Sequence, residues 1–447
     1  MKVFKKAARG QIVLMTALSL VVIFAVAGLV IDAGVGYLMK AKLNAAVDAA
    51  AIAAGRAVTE GVTQADQEAS ARAAARRFFA ADYPNGWLGT VPTMNEPAIT
   101  FDRGKVTIDV SAHVDKPVSF MRVLGLETTL VSAASQVVRK DLDLAFVVDV
   151  TGSMAPVASA VKTNAALFLQ HFSPTTDRMS LIHFAFGAEV DVPFRATQRG
   201  FDRPGMTAKI NTFNFNGNTN YSEALWQARD QLNNVIATAS RSSLRVIVFF
   251  SDGSPNTFAS LFGFKKTKDC ATPGALATPD TSSHLNDCSD CDGLYVRDKQ
   301  NQQLDIDKCY QNNIGSHLDA NNALPDYFTN LNGQVEPDFP VVGGLVTRAP
   351  TYRNINQASR NLAQAMALKS RQEGIYIFTL GLGPLLTEAN GAYGERGDVL
   401  LKTMANTPDS AAHDPGQPTG VYCYAATADD LAPCFSRLAS EIMRITR

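Results

Sequence analysis

Residues 142–153 read Leu142-Asp143-Leu144-Ala145-Phe146-Val147-Val148-Asp149-Val150-Thr151-Gly152-Ser153, a short apolar run that closes on a carboxylate and two hydroxyls. A run this short, apolar without alternation, predicts a strand buried on both faces. Three comparable runs follow, at 179–186, 244–250 and 375–380, and helical patterns lie at 155–172, 220–236, 354–373 and 427–445. Strands alternating with amphipathic helices predict an α/β domain over 141–447, with a doubly wound, mostly parallel sheet. Ligands of such sheets bind at the carboxyl ends of the strands, so those ends are where chemistry is expected.

Three of them carry it. The first run ends in Asp149, with hydroxyls two and four residues on at Thr151 and Ser153. A second loop, Gly217-Asn218-Thr219-Asn220, opens a helical pattern, and the run at 244–250 ends in Ser251-Asp252-Gly253. Carboxylates and hydroxyls gathered on one edge make a hard-oxygen site for Mg²⁺, Mn²⁺ or Ca²⁺. Two aspartates supply only two negative charges, which leaves such an ion short of one anionic ligand that a partner can bring. Capping of the next helix by Asp149 and Thr151 explains one loop but not all three.

This pattern resembles the von Willebrand factor A domain and its metal-ion-dependent adhesion site: Asp-x-Ser-x-Ser after the first strand, a distant Thr, then Asp before Gly. Asp149, Thr151, Ser153, Thr219 and Asp252 match it in order, with Thr151 keeping the hydroxyl of the first serine. The resemblance implies a metal site built from these five residues, with Mg²⁺ first among the ions, and a protein partner that offers it an acidic side chain. It implies no enzyme. The alternative weighed is an exported Mg²⁺-dependent hydrolase. Against it, position 151 is Thr where haloacid-dehalogenase-type phosphatases carry a second Asp, and neither a Gly-x-Ser-x-Gly elbow, a GxxxxGK[ST] phosphate loop nor an HExxH helix occurs.

Residues 254–350 interrupt the alternation with weak periodicity and four cysteines, Cys270, Cys288, Cys291 and Cys309; Cys423 and Cys434 lie further on. Six cysteines on an exported chain read first as disulfides. A 423–434 bridge is geometrically reasonable, since ten intervening residues let the last helix fold back. A Cys₄ zinc site in the insertion is the competing reading of C-x₂-C. Asp287, Asp290, Asp292, Asp305 and Asp307 read as solvated acids, and His183, inside an apolar run, as a hydrogen-bonded core histidine.

Towards the N-terminus, residues 12–31 form twenty positions without a charge, preceded by Lys2, Lys5, Lys6 and Arg9. At 1.5 Å per residue that run spans about 30 Å, the bilayer's hydrocarbon core. The basic flank keeps the N-terminus in the cytoplasm and exports the rest. Ala25-Val26-Ala27 has the form of a signal-peptidase site, but the apolar run continues past it, which favours a retained anchor. Residues 1–36 are thus a basic tip and anchor. Residues 37–140 hold an alanine-rich helical stretch, continuing the anchor outward, and then a small β-rich region over 98–138.

Arg9-Gly10-Gln11 before the apolar span, then Gly28-Leu29-Val30-Ile31-Asp32 and the alanine-rich stretch around residues 43–51, resemble the TadG-like tight-adherence (Flp) pilus-assembly family. That family joins such an anchor to an exported von Willebrand A domain. The resemblance implies a bacterial inner-membrane protein, single-pass, with the bulk of the chain periplasmic or extracellular. Its expected partners are pilus-assembly components. The fifth position after Gly10 is Met15, where prepilins carry Glu, which argues against prepilin processing. With 41 basic and 42 acidic residues, the near-zero net charge argues against a nucleic-acid footprint.

Overall fold

The computed structural model describes residues 9–58, 64–102, 105–118, 120, 122, 125, 127–140, 142–236, 242, 244–262, 271–280, 282–296, 310–311, 323–330 and 332–445. They divide into two compact units, Met1–Arg139 and Lys140–Arg447.

In the first unit, helix α1 (Arg9–Ala57) runs without a break from the apolar segment into the alanine-rich one, and α2 (Gln64–Asp82) follows. Strands β1 (Thr93–Met94), β2 (Ala98–Asp102), β3 (Lys105–Pro117) and β4 (Thr128–Lys140) make a four-stranded sheet in which β3 pairs with the other three. Alternate residues of β3 (Val106, Ile108, Val110, Ala112, Val114) face Leu43, Ala46, Val47, Ala50 and Ala54 of α1 and Ala71, Ala75 and Phe79 of α2. The alanines explain the close approach, because a methyl is all that separates the helix backbones from the sheet. Residues 13–26 of α1 are exposed, including Val13, Leu14, Val21, Val22 and Ile23 at 61–70%.

The second unit is built on strands β5 (Leu142–Asp149), β6 (Arg178–Phe184), β7 (Ala188–Val192) and β8 (Leu244–Ser251), with helices α3 (Ala158–Phe168), α4 (Arg203–Asn211) and α5 (Tyr221–Asp230) between them. The insertion contributes β9 (Thr257–Ser260), β10 (Ala271–Ala277), β11 (Asp292–Val296) and β12 (Tyr310–Gln311), an antiparallel sheet, and the hairpin β13 (Tyr327–Thr329)–β14 (Val335–Pro340). Helix α6 (Tyr352–Gln372), β15 (Ile375–Leu382), α7 (Gly397–Ala405), β16 (Tyr422–Ala425) and α8 (Leu431–Ile445) complete the chain. The main sheet has the order β16-β15-β8-β5-β6-β7, all parallel except the edge strand β7.

Period-two burial assigns the two faces. Ala145, Val147, Ile247, Phe249 and Ile377 pack with α5, α6, α7 and the insertion's Phe258, Leu276 and Phe328. Leu144, Phe146, Val148, Val248, Phe250 and Phe378 pack with α3, α4 and α8. Asp143, the polar break in β5, is fully buried. It accepts from Arg199 Nη1 at 2.8 Å and the Ser242 N–H at 2.7 Å, with Arg178 3.7 Å away. Strands β5 and β8 are neighbours, yet β5 leads to α3 on one face and β8 to α6 on the other. Their carboxyl ends therefore flank the point where the strand order reverses, the usual place for a ligand site in such sheets.

Candidate metal centre

Asp149 is the last residue of β5 and fully buried. Its Oδ1 accepts the Thr151 N–H at 2.8 Å, and its Oδ2 accepts the Ser251 hydroxyl from the end of β8. The Ser251 Oγ in turn accepts the Gly253 N–H at 3.2 Å. The Thr151 side chain makes no helix-capping hydrogen bond; its Oγ1 lies 3.1 Å from Ser153 Oγ, which donates to Asp252 Oδ1 at 2.9 Å. On the second loop, by contrast, Asn220 does cap a helix, accepting the Glu223 N–H at the start of α5. Thr151, Ser153 and Asp252 thus form one chain of oxygens from two loops. Thr219 borders them: a Cβ on Gly253 would sit 3.8 Å from its hydroxyl.

Backbone hydrogen bonds stitch the three loops together. The Gly152 N–H donates to Gly217 O at 3.0 Å and the Asn216 N–H to Val150 O at 2.8 Å, joining the first loop to the second. Gly217 has φ +86, a left-handed conformation that favours glycine. Asn256, at the start of the insertion, joins the second loop to the third: its Oδ1 accepts the Thr219 N–H at 2.9 Å and its own N–H donates to Thr219 O at 3.1 Å. Beneath them, the Tyr221 hydroxyl donates to Gly253 O at 2.6 Å, and its ring packs edge-on against Phe249 at 4.6 Å.

Burial pushes Asp149 up to about 6 from its ordinary value of 3.8, against the hydrogen bonds from Ser251 and Thr151. Asp252 rises to about 8, first through burial and then through the negative charge of Asp149. Burial and the charge of Asp149 also hold Tyr221 well above its usual value. None of the leading influences on the two carboxyls is a Lys or Arg. Two desolvated acids, bordered by neutral hydroxyls, are a donor set that fits a hard divalent ion.

Ser251, Asn256 and Tyr221 are the residues that motif reading left out of the site. Ser251 precedes Asp252 directly, so its position at the strand end was the available signal. Asn256 and Tyr221 had none, because their roles depend on loops brought together from distant sequence.

Elsewhere, His183 is buried and its Nδ1 lies 2.5 Å from Asp191 Oδ2, with the ring tilted against Phe213 at 4.8 Å. His183, Glu189 and Asp191 bring ligand-type atoms within 4.8 Å of one another. Asp191 is also 3.2 Å from Lys209 Nζ, so its charge is answered without an ion. Cys423 and Cys434 form a disulfide joining β16 to α8, and Cys288 and Cys291 another in the insertion. The C-x₂-C pair is therefore oxidised rather than set for zinc. Cys270 and Cys309 lie outside the described residues, as do Asp305 and Asp307. Asp287 is exposed and accepts from the Ser289 N–H and hydroxyl as a solvated acid does, whereas Asp290 is half-buried: its Oδ2 accepts from the Ser282 hydroxyl at 2.5 Å and its Oδ1 is buried without a hydrogen-bond partner.

Residues 144–254 match the von Willebrand factor type A domain family, and residues 10–57 the Flp pilus-assembly TadE/G-like family. The chain therefore joins a TadE/G-like N-terminal segment to a von Willebrand factor type A domain. Among curated proteins none matches it. Similar solved structures include the pilus adhesin SpaC of Lactobacillus rhamnosus GG (13% identity over 79% of this chain and 35% of that one, TM-score 0.39). Another is the vWF domain of the type V pili tip protein Mfa5 of Porphyromonas gingivalis (14%, 69% and 97%, TM-score 0.38). A third is proximal thread matrix protein 1 of the mussel byssus with a zinc-occupied MIDAS motif (12%, 68% and 46%, TM-score 0.33). The chain spans about a third of SpaC and about half of the byssus protein.

Proposed function

We propose that this protein is a membrane-anchored component of pilus assembly or adhesion whose exported A domain captures a protein partner through a divalent ion. Asp149, Thr151, Ser153, Thr219 and Asp252 hold the ion, directly or through water. The observation that carries this reading is the buried Asp149–Asp252 pair beside the Thr151–Ser153 hydroxyls, with no Lys or Arg among the leading influences on either carboxyl. Mg²⁺ suits a site of few carboxylates and several neutral oxygens, and Mn²⁺ or Ca²⁺ accepts the same donors.

A bound divalent ion supplies positive charge to a partner carboxylate. The chain's own part is positioning: Ser251 and the Thr151 N–H orient Asp149, Asn256 fixes Thr219, and the Tyr221–Phe249 packing excludes water from below. Preorganisation of this kind lowers the cost of holding the ligands in one arrangement. Residues 12–31 keep the domain at the inner membrane, the N-terminus stays cytoplasmic, and the A domain faces the periplasm or beyond. Pull-down with the full chain in detergent tests the reading. A partner retained in Mg²⁺ and lost both in EDTA and with Asp149→Ala supports it; a partner retained under all three conditions overturns it.

A further inference from the structure

We infer that Thr278 and Asn356 are positioning residues of the metal centre, setting its affinity for a divalent ion from the insertion and α6 through Asn256 and Thr219. The inference rests on the proposed reading of Thr219 as one of the residues around the ion. Asn256 holds both backbone groups of Thr219, through its Oδ1 and its own N–H. Asn256 is itself held. Its carbonyl accepts the Thr278 N–H at 2.9 Å and the Thr278 hydroxyl at 3.4 Å. That hydroxyl in turn accepts from Asn356 Nδ2 at 3.1 Å. Asn356 Oδ1 accepts Arg360 Nε at 3.1 Å and the Ala392 N–H at 3.0 Å, which fixes the amide from its other end. One ladder of hydrogen bonds therefore runs from Ala392 through Asn356, Thr278 and Asn256 to Thr219.

The elements explain why these residues meet. Strands β9 and β10 pair with Ala277 opposite Thr257, so the next step of the antiparallel register sets Thr278 opposite Asn256. Asn356 lies in the second turn of α6, whose N-cap is Thr351. One turn later the Ser359 hydroxyl is 2.9 Å from Pro255 O, so the same helix also supports the residue before Asn256. Asn256, Thr278 and Asn356 are all buried, where polar side chains cost free energy unless they are bonded. A bonded series of this kind stiffens what it touches, and its inner end is the backbone of Thr219. The insertion thus contributes to the site through the end of β10, far in sequence from the five motif oxygens. Support behind a ligand orients it, and metal affinity depends on that orientation.

Titration of the full chain in detergent with Mg²⁺ tests this by calorimetry, with melting in EDTA as the measure of folding. Thr278→Val keeps the shape of the side chain and the backbone bond to Asn256 but removes the hydroxyl; Thr278→Ser keeps the hydroxyl. Thr278→Val is expected to bind Mg²⁺ about fivefold more weakly, the worth of one ordinary hydrogen bond, and Thr278→Ser to bind as the wild type does. Asn356→Ala, at the next rung, should weaken binding by a similar factor. In an Asn256→Ala background Thr278→Val should cost no further affinity, because residues acting in series are not additive. A full additional loss in that background would mean that Thr278 acts on folding in general, and overturns the inference. Wild-type affinity in Thr278→Val overturns it too, while leaving the metal reading standing. Absence of Mg²⁺ binding by the wild type overturns both.

Discussion

Ser251 fixes the orientation of the Asp149 carboxylate through its hydroxyl. Loss of such a support behind a metal ligand costs about 10–100-fold in metal affinity. Ser251→Ala is therefore expected to weaken Mg²⁺ binding by that factor in calorimetric titration; an unchanged affinity would show that Asp149 is held without it. Thr151 gives a cleaner pair. Thr151→Ser keeps the hydroxyl and should bind as the wild type does, whereas Thr151→Ala removes an oxygen from the Thr151–Ser153–Asp252 chain and should not.

The two acids also set a pH signature. Both carboxyls are raised from 3.8, Asp149 to about 6 by burial and Asp252 to about 8 by burial and then by the charge of Asp149. A group raised in the folded state stabilises fully below its unfolded value, and that contribution is lost as pH rises through the folded value. In EDTA the wild type should lose stability between pH 4 and 8 relative to Asp252→Asn, which carries no charge there. The melting-temperature gap in favour of the variant should widen across that range and vanish below pH 4. Saturating Mg²⁺ should restore the wild type. A gap independent of pH would mean that Asp252 is not desolvated in the ion-free protein.

Among the secondary-structure elements, those with long apolar patterns are legible in the sequence. The run 142–148 became β5, 244–250 became β8, and 354–373 became α6, because burial on both faces or one stripe leaves a strong period. Helices α4 and α7 escaped, being nine residues each and too short for a pattern to accumulate. Asn406, left-handed at φ 54, ends α7, and Asn in that role was a usable stop signal. Strand β10 escaped for another reason. Its Pro273 and Gly274 are poor strand formers, and it forms around a register shift between Ala271 and Gly274 that only its neighbours specify. Of the site, the five motif oxygens were legible, while the partners that orient them were not, because hydrogen bonds such as Asn256–Thr219 arise only once the loops meet.

The Cys423–Cys434 bridge ties the last strand to the last helix across a sequence separation of 11. Closing a loop of that size stabilises by about 3 kcal/mol in the chain-entropy account. Cys423→Ser with Cys434→Ser should lower the unfolding free energy of the A domain by about that amount in denaturant titration. A loss below about 1 kcal/mol would indicate that β16 and α8 hold each other by packing alone.

For the molecule as a whole, one continuous helix carries the chain from an apolar segment of membrane-spanning length into the alanine-rich packing of the first unit. A reporter enzyme that works only outside the cytoplasm, fused after residue 140, should therefore be active, and a cytoplasm-restricted reporter at the same place should be silent. The reverse pattern would contradict both export and the oxidised state of the cysteines. On the proposed reading, the first unit fixes where the protein sits, and the A domain presents the ion.

That presentation is tested most directly by titrating Mg²⁺ into the full chain in detergent, comparing wild type with Asp149→Ala by calorimetry and following each by thermal melting in EDTA. The account predicts saturable binding to the wild type, with protons released as Asp149 and Asp252 ionise, and no measurable binding to the variant. The variant's melting temperature in EDTA should be no lower than that of the wild type, since it loses a buried charge. Equal Mg²⁺ affinity in the two proteins would contradict the account.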